Sequence, residues 1–314
     1  MQNLPADLGH QNDVVHVVIK RIRVGGVLER ESSAIAHRAQ VELSLRIVLL
    51  PDILTLPSVT RATDEHRDRV VVAGSHGAIY AGHVAAKAGM RAVILNDAGL
   101  GKDRAGIAAL RYLDALGFPA ATVSSDSARI GDGDDMAVRG VISHVNETAA
   151  ALGCRVGESA AAAAAHLDAA ALFRWEPLPY HEARHALVTA PGRPEVWTLD
   201  SVGLVRAEDV GQIVVTGSHG GLLAGEAASA IKVDARAVVY NDAGVGIDSA
   251  GISRLPALDA RGIAAATVAA ATARIGDGRS TYESGRLSHV NETARSLGVE
   301  PGLRVHTFVQ LVSQ

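Results

Sequence analysis

The apolar positions of this chain fall into two alternating patterns. Short β-branched runs, "RVVVAG" (69–74), "RAVILN" (91–96) and "PAATVS" (119–124), each end on Gly, Asn or Ser and predict buried strands. Between them, "AIYAGHVAAKAG" (78–89) and "DRAGIAALRYLDALG" (103–117) carry apolar residues at three- and four-residue spacing. The first reads as a helix closed by Gly89, the second as a helix capped by Asp103 and stopped by Gly117. Two more helices are predicted over "HVNETAAALG" (144–153) and "ESAAAAAAHLDAAAL" (158–172), and further strands near 14–24, 54–59 and 197–202. Strands alternating with helices imply a parallel sheet covered on both faces, joined by right-handed crossovers.

The pattern is written twice. Residues 91–153 and 236–298 align without a gap and are identical at 37 of 63 positions. With one two-residue gap the match extends back through "VVVAGSHG" (70–77) and "IVVTGSHG" (213–220) to "LTLPSV" (54–59) and "WTLDSV" (197–202). A period this long is a duplicated half-domain and not a solenoid unit. The predicted organisation is an N-terminal extension (1–50), a first α/β repeat (51–172), a connecting segment (173–194) and a second repeat (195–314). The predicted fold is a doubly wound α/β architecture of two βαβαβα halves related by a pseudo-two-fold.

The positions kept by both copies are mostly not the aliphatic ones: Ile94 and Leu95 face Val239 and Tyr240. They are Gly, Ser, His, Asn, Asp, Arg and Thr, gathered in GSHG, NDAG, ARIGDG and SHVNET. Each of the first three follows a predicted strand, the edge where open parallel sheets bind ligands. In "VVVAGSHGAIYAG", Ser75 stands between small residues at a strand–turn–helix junction, the spacing of a nucleophile elbow. Asp97 or Asp132, then His144, follow it in the chain, and Ser218, Asp242 or Asp277, and His289 repeat the set, so each copy could supply a nucleophile, an acid and a base. The same turn also reads as an anion nest of backbone N–H groups opening a helix. His76 and His219, beside that helix start, are expected to be neutral and to serve as bases.

Arg129 and Arg274 of ARIGDG are expected to grip a carboxylate or carbonyl, with Asn96, Asn241, Gly77 and Gly220 lining the same loops. Differences between copies single out the second. It has Asp200 where the first has Pro57, and it has an extra Gly221 after GSHG. Asp200 is read as a base or a His-orienting group, and Lys102, opposite Ile247, as a binding residue from the first copy. One site at the junction of the halves, drawing on both, follows. NDAGLGKD is neither GxGxxG nor a P-loop, so no nucleotide cofactor is expected. Two His and three Asp per copy could hold a divalent metal, but without HxH or HExxH spacing no metal site is assigned.

Composition adds boundaries. The chain has 314 residues, 48% hydrophobic and 20% charged, with net charge −4, which leaves no basic footprint for nucleic acid. Aromatics are 3%, so the core is built from small aliphatic side chains. The single Cys154 forms no intrachain disulfide, the N-terminus lacks a signal-peptide pattern and no apolar run reaches membrane-span length, so a cytoplasmic location is expected. Duplication from a symmetric dimer points to a homo-oligomer. The expected activity is that of a hydrolase of a small carboxylate- or amide-bearing metabolite. Alternatives are a lyase or isomerase using a neutral His base with an Arg anchor, and a two-lobed anion-binding protein.

Overall fold

Strands and helices alternate through both halves of the computed structural model, which describes residues 53–172, 180–187 and 189–314. The predicted strand near 14–24 and the extension 1–50 lie outside the described residues. In the first half the order is β1 (Leu54–Leu56), β2 (Val70–His76), α1 (Ile79–Lys87), β3 (Ala92–Asn96), α2 (Ala108–Asp114), β4 (Ala120–Val123), α3 (Gly133–Arg139), β5 (Ile142–Val145), α4 (Glu147–Ala151) and α5 (Ala160–Leu167). The second half contains β6 (Arg184–Leu187), β7 (Val196–Leu199), β8 (Ile213–His219), β9 (Ala237–Asn241), α6 (Arg254–Asp259), β10 (Ala264–Val268), α7 (Gly278–Ser284), β11 (Leu287–Val290), α8 (Glu292–Ser296) and α9 (Val305–Val312).

Each half builds its own mixed, mostly parallel sheet. The first runs β1-β2-β3-β4-β5 and the second β11-β10-β9-β8-β7-β6. Only the edges β5, β6 and β11 pair antiparallel. Strand order follows chain order without reversal, so the winding differs from the doubly wound expectation. One face is covered by the crossover helices: Val71, Val93 and Leu95 pack on Ala85 of α1 and on Leu110 and Leu113 of α2. The other is covered by elements that return after β4: Val70, Val72 and Ile94 pack on Met136 of α3 and on Ala164 and Leu167 of α5. Alternate residues of one strand serve the two cores because successive side chains point to opposite faces. Among the described residues no helix is long and apolar enough to cross a membrane.

Three local expectations change. Asp103 does not cap a helix: it and Arg104 have φ of 54° and 55° within a 3-10 stretch, and the α-helix starts only at Ala108. His144 lies in β5, and the following helix is capped by Asn146, whose side chain accepts from the Ala149 N–H. The connecting segment contains the edge strand β6, antiparallel to β7. The halves also differ. Where the first half has α1, the second has only a 3-10 turn at Ala227–Ser229, after Ala224 and Gly225 turn left-handed at φ 50° and 73°.

The halves belong to one compact unit, Leu50–Gln314, and their contacts come in reciprocal pairs. Arg129 pairs with Asp248 at 2.9 Å, and Arg274 with Asp103 at 3.2 Å. A Cβ on Gly99 would meet the Gly244 backbone, and one on Gly244 would meet Gly99. Ala98, Ile130, Ala243 and Ile275 fill an apolar cluster drawn from both halves. Reciprocity of this kind is what an isologous interface imposes.

The repeated ARIGDG is thereby accounted for. Its Arg bridges to the other half, and Asp132 and Asp277 cap α3 and α7. Gly131 (φ 86°) sits so close to Leu222 of the other half that a Cβ would lie 2.2 Å from its carbonyl oxygen. Gly131→Ala must therefore both hold a left-handed φ and displace backbone. It should lose more stability than Gly117→Ala, where φ is also positive (66°) but nothing lies within 4 Å. For Gly117→Ala about 1–2 kcal/mol is expected, the cost of the left-handed conformation alone. Denaturant midpoints of the two variants measure the difference, and equal losses would dismiss the close contact.

Candidate functional site

One cavity of about 350 Å³ lies where the two halves meet, and both contribute to its wall. From the first half come Ser58, Arg61, Ser75, His76 and Tyr80; from the second come Asp200, Ser201, Ser218, His219, Lys232 and Arg254, with Glu182 ahead of β6. The ends of β2 and β8 deliver Ser75–His76 and Ser218–His219 because GSH closes both strands. The missing second-half helix leaves Leu223, Ser229 and Lys232 as wall residues on that side.

Of the residues singled out from sequence, Ser75, His76, Asp200, Ser218 and His219 line this cavity. The serines do not form nucleophile elbows. Both lie in extended strand, outside the positive-φ positions. Their hydroxyls accept backbone hydrogen bonds: Val59 N–H donates to Ser75 Oγ at 3.0 Å, and Val202 N–H to Ser218 Oγ at 2.9 Å. No imidazole bonds either hydroxyl among the described residues. Ser75→Ala should thus cost about 1–3 kcal/mol, because it strands a buried N–H, while turnover changes less than tenfold. Chemical denaturation and a serine-directed covalent reagent test this; a loss of several orders of magnitude in turnover would restore the nucleophile.

Asp97 and Asp242 serve their own loops. Asp97 Oδ1 accepts from the N–H groups of Gly99 and Ser125, and Asp242 Oδ1 from Gly244 and Ala270. Asn96 and Asn241, fully buried, tie NDAG to ARIGDG through the carbonyls of Ala128 and Ala273. His144 contacts Ser143 and Arg104 and lines a separate depression with Tyr112 and Glu147. His289 lies in β11, its Nδ1 buried and unpartnered. Among the described residues no Ser–Asp–His triad is assembled. Arg129 and Arg274 are spent on the interface, and Lys102 donates to Ser284 Oγ at 2.9 Å, so their assignment to substrate binding is corrected to bracing the halves. Gly77 and Gly220 are glycine because a Cβ would lie 2.5 Å from the carbonyl oxygens of Gly106 and Gly251. Among the described residues no three His, Cys, Asp or Glu stand close enough to hold a metal ion.

The two imidazoles are held in one tautomer. Ala78 N–H donates to His76 Nδ1 at 3.3 Å, and Gly221 N–H to His219 Nδ1 at 3.1 Å. With Nδ1 accepting, the proton of the neutral ring is on Nε2. Burial pushes His76 down to about 4, and burial with the Arg254 charge holds His219 well below the ordinary histidine range. Near neutral pH both rings are therefore uncharged Nε2–H donors, not the bases expected from sequence, since the lone pair a base needs is already engaged. The ring centroids are 6.2 Å apart at 80°.

Arg254 is the residue sequence reasoning missed. It is 2% exposed, yet no carboxylate pairs with it among the described residues. Its Nε donates to Gly221 O at 2.8 Å and one Nη to Ala230 O at 2.6 Å, and its guanidinium lies 4.9 Å from the Tyr240 ring centroid. A buried cation without a counter-ion is costly, and here backbone carbonyls and the Tyr240 ring offset part of that cost. Comparison of the copies contains the signal: Arg254 and Tyr240 stand where the first half buries Ala109 and Leu95.

Glu182 was also missed, because the segment before β6 has no counterpart in the first copy. Its neighbours fix it. Ala183 N–H donates to Asp200 Oδ2 at 2.7 Å, and Arg184 forms a two-bond pair with buried Asp209 at 2.9 and 2.6 Å. Burial raises Glu182 to about 7, with Asp200 adding to the rise and hydrogen bonds from Tyr80 and Ser201 opposing it. Asp200 also accepts from Gly278 N–H at 3.1 Å, so both its oxygens hold backbone. Compared with family models, with curated proteins and with solved structures, the chain has no significant match.

Proposed function

We propose that the cavity is the active site of an enzyme acting on a small carboxylate-bearing molecule by proton transfer, a lyase or isomerase in class. Buried Arg254, which lines the cavity and has no carboxylate partner among the described residues, is the observation that carries this reading. The guanidinium takes the substrate carboxylate. His76 and His219 donate their Nε2–H groups to an oxygen on which negative charge develops, a task for which a neutral imidazole is suited. Glu182, poised near neutral pH, moves the proton. Arg61 and Lys232 make the wall positive enough to favour an anion despite Asp200.

On this reading the halves are related by a pseudo-two-fold whose axis passes near the His76–His219 pair. The first copy supplies one donor; the second supplies the other donor and the anion anchor. A hydrolase remains the second reading, because Glu182 could activate water as it would a carbon acid, with the histidines holding the tetrahedral oxyanion. A serine acyl-enzyme is not part of it. The test is thermal shift of the purified chain with small carboxylates. A rise in midpoint that disappears in Arg254→Met supports the site, and no rise with any carboxylate across two to six carbons rejects it.

A further inference from the structure

Gly221 clasps two functional groups at once. Its N–H donates to His219 Nδ1 at 3.1 Å, and its carbonyl accepts from Arg254 Nε at 2.8 Å. It must be glycine to do so, because a Cβ would lie 2.9 Å from Ala250 O and 3.0 Å from His219 Nδ1. One residue therefore fixes the carboxylate-binding cation beside the imidazole that polarises an oxygen. A substrate that satisfies both has its carboxylate directly next to its carbonyl. His76 faces the same space from the other half, its ring centroid 6.2 Å from that of His219. An oxygen placed between the two rings would accept an N–H···O bond of about 2.9 Å from each. An enolate oxygen has the lone pairs to accept them, and gains more from them than the parent carbonyl does.

We propose that the substrate is a 2-oxo acid that the enzyme enolises at C3; this rests on the acid–base reading of the cavity given above. The ionised Glu182 carboxylate takes a proton from C3. The C–H electron pair becomes the C2=C3 bond, and the carbonyl π pair moves to the C2 oxygen, where His76 and His219 hold it. Return of a proton from Glu182 to C3 regenerates the oxo acid, so no oxidant, reductant or second reactant is needed. In D2O the proton on Glu182 is replaced from solvent, and C3 acquires deuterium.

The experiment is proton NMR of pyruvate and 2-oxobutanoate with the full chain in D2O, with laevulinate as a keto acid whose carbonyl is removed from its carboxylate. In parallel, oxalate, a planar mimic of the 2-oxo acid enolate, is tested by thermal shift. The expected result is loss of the C3 signal of a 2-oxo acid at least 100-fold faster than in buffer. Laevulinate should stay at the buffer rate, and exchange should fall to that rate in Glu182→Gln with an unchanged circular dichroism spectrum. If oxalate raises the midpoint of the wild type but not of Arg254→Met while no 2-oxo acid exchanges, enolisation is overturned and the anion site stands. Equal exchange on laevulinate would overturn the adjacency that Gly221 imposes. Neither exchange nor any Arg254-dependent shift would overturn both this inference and the reading beneath it.

Discussion

Arg254→Met is expected to weaken binding of small carboxylates about 100-fold, the order of one lost charge-assisted pair of hydrogen bonds. Titration calorimetry with the best-binding carboxylate measures it. The companion variant is Tyr240→Leu/Arg254→Ala, which installs the pair that the first half already buries as Leu95 and Ala109. That pair packs on the same strand–helix contact, with Leu95 and Ala109 in one core. It also strands the carbonyls of Gly221 and Ala230, to which Arg254 and Tyr240 donate, and leaves unfilled volume, so the midpoint should fall while carboxylate binding is lost. A residue kept only for the fold would lower the midpoint and leave carboxylate binding intact, and that outcome would reject Arg254 as an anchor.

Glu182→Gln is expected to lower turnover by about 10²–10⁴-fold, the usual contribution of a positioned acid or base. The amide keeps the hydrogen-bonding shape towards Tyr80 and Ser201 but cannot take a proton. Wild-type activity should rise with pH through about 7, as the carboxylate ionises, and the limb should vanish in the variant. Stability has the opposite sign. Because the folded value lies above the ordinary 4.5, the protonated group stabilises the fold fully below that value. This contribution is lost as pH climbs through about 7. Glu182→Gln should therefore flatten part of the decline in midpoint between those two pH values. A rate profile that keeps its ascending limb without Glu182 would assign the proton transfer to another group.

Much of the architecture was legible in the chain. The short β-branched runs and the helical spacing located β2, β3, β4, α1 and α2, and the internal match located the counterparts of all but α1, because local burial alone writes those patterns. The meeting of GSH from β2 and β8 at one cavity was legible for a similar reason: a strand that stops at a sheet edge presents its last polar residues together. Capping placed Asn146 less well. SHVNET satisfies both a strand end and a helix start, and only pairing with β4 decides that His144 belongs to the strand.

The roles of the kept polar residues were decided by tertiary structure. Arg129 and Asp248 are 119 residues apart, and nothing local distinguishes an arginine that binds a substrate from one that binds the other half of its own chain. The tautomers of His76 and His219 depend on which backbone N–H meets Nδ1, a matter of turn geometry that residue type does not encode. Glu182 stands in a segment with no repeat partner, and its acidity is set first by burial and then by Tyr80, Asp200 and Ser201, groups drawn from both halves. Sequence by itself determined two copies of an α/β half and the strand ends that carry Ser and His. Only the packing of one copy on the other decided that ARIGDG braces the halves and that Arg254 faces a cavity shared by both. Periodicity records what each residue buries along its own element; a site made where two halves meet depends on distances between residues far apart in the chain.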